Sequence, residues 1–374
     1  MIEVREVNTP SEMKKFVDLP FEVYKDNPYW VPSLKKDELA SFDKKNAIFE
    51  TVEANYFLAY KGKEVVGRIV SIINWTEVKE LGKTKIRFGW LVFKDDINIL
   101  KALLTTVENI AKNNKLSYIE GPMGFSNMDK AGLLTEGFDK VATLIGLYNY
   151  EYYPIYLQEL GYQPKAEWLE YSIDIANLGK VKQMDKLCEM LKKRYEIDTY
   201  KFDTIDEMLP YVDEMFDLLN VTYAELQSFV PIEKFQVEHY KKKYLKFLHP
   251  DFISCVKDKN NKMIAFAITM PSFSKAFQKT KGKLFPFGWW HLMQAQKKND
   301  HVEFYLIGIH PHYQNKGVNA LIFKELYDRF IARGIKTLET NPLLEENTKV
   351  QQLWKNFDPV VHKRRKTFYK NIEA

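Results

Sequence analysis

The sequence predicts an α+β protein made of two like-built halves. Three observations lead there. The order of apolar-periodic segments runs through once and then starts again. At 374 residues the chain is too long for one ordinary core. Hydrophobic residues make up 45% and charged residues 28%, which is a globular composition.

The first half opens on a helical segment, "PSEMKKFVDLPFEVY". "YFLAYKGKEVVGRIVSII" (56–73) reads as two strands around the turn Lys61-Gly62-Lys63. "KIRFGWLVF" (85–93) is a third strand. In 95–114, Ile99, Leu103, Val107 and Ile110 share one helical face, with Asp95 and Asp96 at its start. "LSYIEGP" (116–122) is the next strand, 153–162 a helix ending at Gly161, and "WLEYSIDI" (168–175) a closing strand.

The second half repeats that order. A helical lead, "IDEMLPYVDEMFDLLNVTYAEL", precedes two strands around a polar turn in 251–270. "VEFYLIGI" (302–309) is a third strand. The segment 317–334 is a helix with Val318, Ile322, Leu326 and Phe330 on one face and Gly334 as its C-cap. Strand 336–341, short helix 347–357 and strand 363–372 follow. A period near half the chain fits no short solenoid repeat. The expected division is 1–178, a bridging helix over 179–200, and 201–374.

Charge and cysteine usage narrow the class. A net charge of +5 over this length suggests no nucleic-acid face. Cys188 and Cys255 stand far apart, which excludes a disulfide framework and points to the reducing cytoplasm. The charged N-terminus has no signal-peptide core, and no apolar run approaches the ~20 residues of a membrane span.

The halves differ at one place. Phe93 to Leu116 is 23 positions, whereas Ile309 to Lys336 is 27. The excess lies in "HPHYQNKG", which brings Gly317 and Lys316 to a helix start. A helix start leaves about four unpaired N–H groups, and a turn converging there suits an anion, phosphate above all. Asp95 and Asp96 would repel a phosphate at the matching position of the first half.

"IGIHPHYQNKGVNALIF" resembles the acyl-CoA-binding segment of the GCN5-related N-acetyltransferase (GNAT) superfamily, a strand followed by V-x-P-x-[FY]-[QR]-x-x-G-[IV]-[GA]-x-x-L. Ile309, Pro311, Tyr313, Gln314, Gly317, Val318 and Leu321 fall in place, and Asn319 departs. "NTKVQQLWKNFD" resembles the family's second marker through Asn347, Val350 and Leu353. It departs at Trp354, where the family often has the tyrosine that protonates the leaving thiolate.

The resemblance implies two GNAT-like domains, each a mixed, mostly antiparallel sheet flanked by helices. It implies that acetyl-CoA or another acyl-CoA is the co-substrate. The backbone of Gln314, Asn315, Lys316, Gly317, Val318 and Asn319 would hold the diphosphate. Leu306, Ile307, Gly308 and Ile309 would line the pantetheine, with Asn347 beside it and Trp354 at the thiol end. The first half, with Leu157 at the tyrosine position, would bind no cofactor and would help form an acceptor cleft. Its loop 121–139 is long and irregular, which suits either that cleft or a plain surface.

Acyl transfer to an amine needs a base, a polarised carbonyl and release of thiolate. Glu303 is the candidate base, with Tyr305 two positions along the same strand face. Tyr305, Tyr369 or water could protonate the thiolate. His310-x-His312 has no evident third ligand, so no metal is expected. Segment 271–300 is basic at Lys275, Lys279, Lys281 and Lys283, then aromatic at Phe285, Phe287, Trp289 and Trp290. It suits a lid, packing between halves, or a membrane surface. "HKRRKTFYK" reads as a solvated strand edge.

These features predict an N-acetyltransferase with a small-molecule or peptide amine acceptor, monomeric or homodimeric. A catalytically silent acyl-CoA-binding regulator and an aminoacyl or long-chain acyl transferase of tandem type are the alternatives.

Overall fold

The computed structural model describes residues 1–126, 129–179, 184–224, 231–244 and 247–372. Its strands are β1 (Ile2–Glu6), β2 (Val52–Lys61), β3 (Glu64–Asn74), β4 (Lys85–Phe93), β5 (Tyr118–Gly121), β6 (Leu133–Glu136), β7 (Gln163–Asp174), β8 (Ile197–Tyr200), β9 (Ile253–Asp258), β10 (Met263–Pro271), β11 (His301–Ile309), β12 (Thr337–Thr340), β13 (Leu343–Leu344) and β14 (Val360–Asn371). Two compact units divide the chain. Unit 1 comprises Met1–Leu169, Ser274–Leu292 and His362–Ala374; unit 2 comprises Glu170–Phe273 and Met293–Val361.

Unit 1 orders its strands β1-β2-β3-β4-β5-β14-β7, with β6 also on β14. Its pairs β1–β2, β2–β3, β3–β4 and β5–β14 are antiparallel, while β4–β5 is parallel. Gly62 turns the β2–β3 hairpin at φ +64, in register Lys61↔Glu64. The helix Ile97–Asn113 buries Ile99, Leu100, Leu103, Leu104, Val107 and Ala111 against this sheet. That stripe is the predicted one widened to the usual core-facing face.

Unit 2 orders its strands β7-β12-β11-β10-β9-β8. Again one pair is parallel, β11–β12, while β7–β12, β10–β11, β9–β10 and β8–β9 are antiparallel. The helix Asn319–Arg333 buries Leu321, Ile322, Phe323, Leu326 and Phe330 and ends at Gly334 in the left-handed conformation. Each unit is therefore a mixed, mostly antiparallel sheet flanked by helices, as the sequence predicts.

The contact units interleave along the chain, which differs from a division at 178 and 201. The reason is strand pairing: Phe368 to Asn371 of the C-terminal strand run antiparallel to Gly121 to Tyr118. The Gln278 side chain likewise donates to the carbonyls of Pro28 and Trp30 in unit 1. The stretch expected as a bridge contains the helix Met184–Tyr195, which buries Met184, Cys188 and Leu191 and belongs to unit 2. Residues 180–183 of that stretch lie outside the described residues.

Two local expectations change. The single helix expected over 205–226 is broken into Ile205–Met208, a 3-10 turn Leu209–Tyr211 and Val212–Tyr223. Pro210 lacks the N–H that a continuous helix needs there; residues 225–226 lie outside the described residues. The loop 121–139 holds the strand β6, whose Leu134 N–H and carbonyl both bond the Asn149 side chain. Among the described residues, no helix is long and apolar enough to cross a membrane.

Candidate functional site

In unit 2, the parallel pairing of β11 with β12 covers only His301–Phe304 against Thr337–Thr340. Past Phe304, β11 runs on to Ile309 beside β10 alone. The β10–β11 register slips between Ile268 and Thr269, so Tyr305 is the extra, bulged residue. Side chains take the carbonyls beyond the split. Asn341 Nδ2 donates to Tyr305 O at 2.9 Å, and the Tyr223 hydroxyl donates to Ile307 O at 2.9 Å. Gln314 Nε2 donates to Ile309 O at 3.0 Å. Burial pushes the Tyr223 hydroxyl up to about 12, so it stays a donor at neutral pH.

The strand leads into a 3-10 turn, Pro311–Tyr313, and then the helix Asn319–Arg333. Asn315 and Gly317 have φ of 59° and 80°, so the peptides between them alternate in hand. Such alternation turns successive N–H groups toward one concave side. Val318 occupies the N-cap and makes no side-chain cap bond to the helix start. A Cβ on Gly317 would meet only Leu191, at 3.7 and 3.8 Å, so the backbone conformation rather than crowding calls for glycine. Lys316 is half-buried with its ammonium 5.5 Å from the Tyr195 ring centre and 3.3 Å from His312 Nε2. An uncapped helix start, an open glycine and a cation fit a phosphate.

Gln314 differs from expectation. Its N–H bonds Pro311 O at 3.2 Å, because the 3-10 turn closes there. Its side chain folds back to the strand end, so it fastens the turn, and the converging backbone runs from Asn315 to Asn319. His310 Nδ1 accepts the His312 N–H at 3.2 Å, a local turn bond. Among the described residues, no group of three or more His, Cys, Asp or Glu side chains could hold a metal ion.

The matching helix start in unit 1 is occupied by carboxylates. Asp96 caps Ile97–Asn113 by accepting the Asn98 N–H at 3.0 Å, and Asp95 accepts the Tyr156 hydroxyl at 2.7 Å. The bond from the Asn98 N–H is the main cause that holds the Asp96 carboxyl below its usual value. Asp96→Ala is expected to destabilise unit 1 by about 1 kcal/mol, read from the urea midpoint. No change on substitution would show that the cap contributes nothing.

Glu303 is 1% exposed at the parallel β11–β12 pair, directly across from buried Glu339. Ser272 Oγ donates to its Oε1 at 2.7 Å and the Tyr305 hydroxyl to its Oε2 at 2.8 Å. Burial, and then the Glu339 charge, push the Glu303 carboxyl above its ordinary value. His301 stands beside the pair, its Nε2 3.4 Å from Glu339 Oε2 and its Nδ1 2.7 Å from Thr337 Oγ1.

The equivalent register of unit 1 holds Arg87 across from Glu120. There Arg87 pairs Glu77 at 2.7 Å, and Lys85 pairs Glu120 at 3.0 Å. Opposite charges neutralise one parallel pair and like charges load the other. A buried carboxyl with a raised proton affinity beside a hydroxyl can accept and return a proton.

The remaining expected residues take other places. Asn347 caps the helix Thr348–Trp354 by accepting the Val350 N–H at 3.3 Å. Trp354 is fully buried, edge-on to Phe304 with centroids 4.7 Å apart and 5.1 Å from Phe323. It fills core there. Tyr369 lies in unit 1 on β14, with the Lys165 ammonium 5.0 Å from its ring centre, whereas Glu303 and Tyr305 lie in unit 2. Sequence reasoning missed Ser272, Glu339, Asn341 and Tyr223. Glu339 alone left a signal, as the one acid in the strand "KTLETN".

Residues 212–358 match the family model described as Acetyltransferase (GNAT) family. The chain is 26% identical over 377 residues to Protein YghO of Escherichia coli K12, covering 99% of this chain and 95% of that protein. It is 23% identical over 385 residues to a protein of Caulobacter vibrioides named bacterial ceramide synthase, covering 99% and 98%. Among solved structures, a tandem GNAT protein from the clavulanic acid biosynthesis pathway superposes with a TM-score of 0.58 at 11% identity, covering 100% of this chain and 99% of that one.

Proposed function

Starting from a chain whose C-terminal region is a GNAT domain and whose fold is that of tandem GNAT proteins, we propose an acyl-CoA-dependent N-acyltransferase. The observation that carries this reading is the uncapped, glycine-bearing helix start that follows a strand bearing a buried, proton-loving carboxyl. The backbone N–H groups of Asn315 to Asn319 and the Lys316 ammonium are assigned to the diphosphate of the co-substrate. Asn319 carries a larger side chain where the family usually has glycine or alanine, and the backbone donors do not depend on it. The open side of β11 from Leu306 to Ile309 is assigned to the pantetheine. The Ile307 carbonyl accepts the Tyr223 hydroxyl and has a second lone pair for an incoming amide, whereas the Ile309 carbonyl already accepts from both Gln314 Nε2 and Thr222 Oγ1.

The reaction reading is direct attack in a ternary complex. The acceptor amine forms the C–N bond, the C–S bond breaks, and CoA leaves as the thiolate. Glu303 takes the proton that the amine loses, and Ser272 and Tyr305 orient its two oxygens. Tyr305, hydrogen-bonded to Glu303, is assigned the return of a proton to sulfur. Tyr369 and Asn347 are assigned no chemical step.

The resemblance of the turn alone favours acetyl. The full-length match to a protein named bacterial ceramide synthase favours a long-chain acyl group and an amine on a lipid base, and that is the donor and acceptor we propose. A thiol-release assay should compare acetyl-CoA with palmitoyl-CoA over sphingoid bases, polyamines and peptides, with mass spectrometry of the product. N-palmitoyl sphingoid base is the expected product. N-acetyl product from a polyamine or peptide would return the acetyl reading, and tight acyl-CoA binding without turnover over the panel would favour a regulator.

A further inference from the structure

We propose that the segment 281–290 is a docking surface for an anionic lipid bilayer. It goes beyond the acyl-transfer reading and does not depend on it. Within unit 1, Phe285 is 79% exposed, Phe287 71%, Trp289 46% and Trp290 48%. Four large aromatics side by side in water are unusual for a soluble surface, where apolar residues are normally scattered singly.

The surface is built rather than loose. The helix Ser274–Thr280 buries Ala276 and Phe277, and Gln278 fastens it to the Pro28 and Trp30 carbonyls at 2.7 and 3.1 Å. Lys281 and Gly282 then reverse the chain at φ of 48° and 78°. Gly282 sits so close to Phe21 that a Cβ would approach its ring to 2.4 Å, and its carbonyl accepts the Lys35 N–H at 3.0 Å. Gly288 is likewise closed in, since a Cβ would meet Lys283 O at 2.3 Å. The Trp289 indole N–H bonds Pro286 O at 2.9 Å, so this ring reaches outward with its polar atom satisfied. A fixed base thus holds an apolar tip in solvent.

Charge identifies the partner. Residues 271–299 contain six lysines and no acid. Lys275, Lys279, Lys281 and Lys283 are all exposed and lead directly into the aromatic tip. Lysines flanking exposed Phe and Trp match the headgroup layer of an anionic bilayer, which takes rings at the acyl boundary and attracts cations at the surface. The lysine stems can lie along that apolar boundary while the ammonium groups stay among the phosphates.

The test is sedimentation of the full chain with phosphatidylcholine vesicles and with vesicles containing about 30% phosphatidylglycerol, without CoA or acceptor. The chain should bind the anionic vesicles at least tenfold better than the neutral ones, with binding weakened by 0.5 M NaCl. Phe285→Ser with Phe287→Ser should lower binding at least tenfold. Lys279→Glu with Lys281→Glu and Lys283→Glu should remove the preference for anionic lipid. All five positions are exposed, and an unchanged melting temperature verifies folding of each variant. Brominated lipid should quench the wild type and spare Trp289→Phe with Trp290→Phe. Absence of vesicle binding by the wild type overturns the proposal, as does equal binding by every variant. So does a wild-type dimer that dissociates in the Phe variant without lipid binding, which would make the tip a contact between copies of this chain.

Discussion

Gly317→Glu is expected to lower acyl-CoA affinity by at least ~100-fold, equivalent to about 2.7 kcal/mol. Two effects add. Any L-residue at φ +80 is strained by roughly 1–2 kcal/mol and tends to reshape the turn. A carboxylate at the helix start would also oppose the diphosphate assigned to this turn. Gly317→Ala separates them: its Cβ has ordinary contacts with Leu191, so it carries only the strain and should lose less than ~tenfold. Titration calorimetry reads both. If Gly317→Glu bound acyl-CoA like the wild type, the diphosphate would lie elsewhere.

Glu303→Gln should reduce kcat by ~100-fold or more while leaving acyl-CoA affinity within about threefold, because it removes the proposed base and keeps the shape. The wild-type rate should rise with pH as Glu303 loses its proton. That limb should lie above the ordinary carboxyl range, because burial and Glu339 raise Glu303, and it should be absent in the variant. Stability runs the other way. A folded-state pKa above the unfolded value gives stability that is complete below the ordinary glutamate pKa and lost as pH rises through the raised one. Glu303→Gln should therefore gain stability relative to the wild type as pH rises through that window. An unchanged rate in Glu303→Gln would remove it as the base. A lost rate with an unchanged pH limb would leave it only a structural part.

The repeat of element order made both sheets and the flanking helices legible, because their apolar periods are long and local. The turn was legible for the same reason: one glycine and four extra positions occur in one copy and not in the other. Pairing between distant strands was not. Phe368 meets Gly121 and Glu303 meets Glu339 through register alone, which no local pattern encodes. The interleaved units and the carboxyl pair were therefore missed together. The bulge at Tyr305 is a one-residue slip in pairing, invisible in a strand whose sequence reads as continuous. Trp354 aligned by spacing with a family tyrosine, but a large ring between Phe304 and Phe323 serves the core.

The most direct measurement is amide hydrogen exchange of the full chain with and without CoA. Added CoA should slow exchange in peptides covering Asn315 to Asn319 and in those from the split part of β11. The helix start at Asp96 and Ile97 should not respond. CoA that binds without protecting 315–319, or that protects the Asp96 helix start instead, would contradict the account.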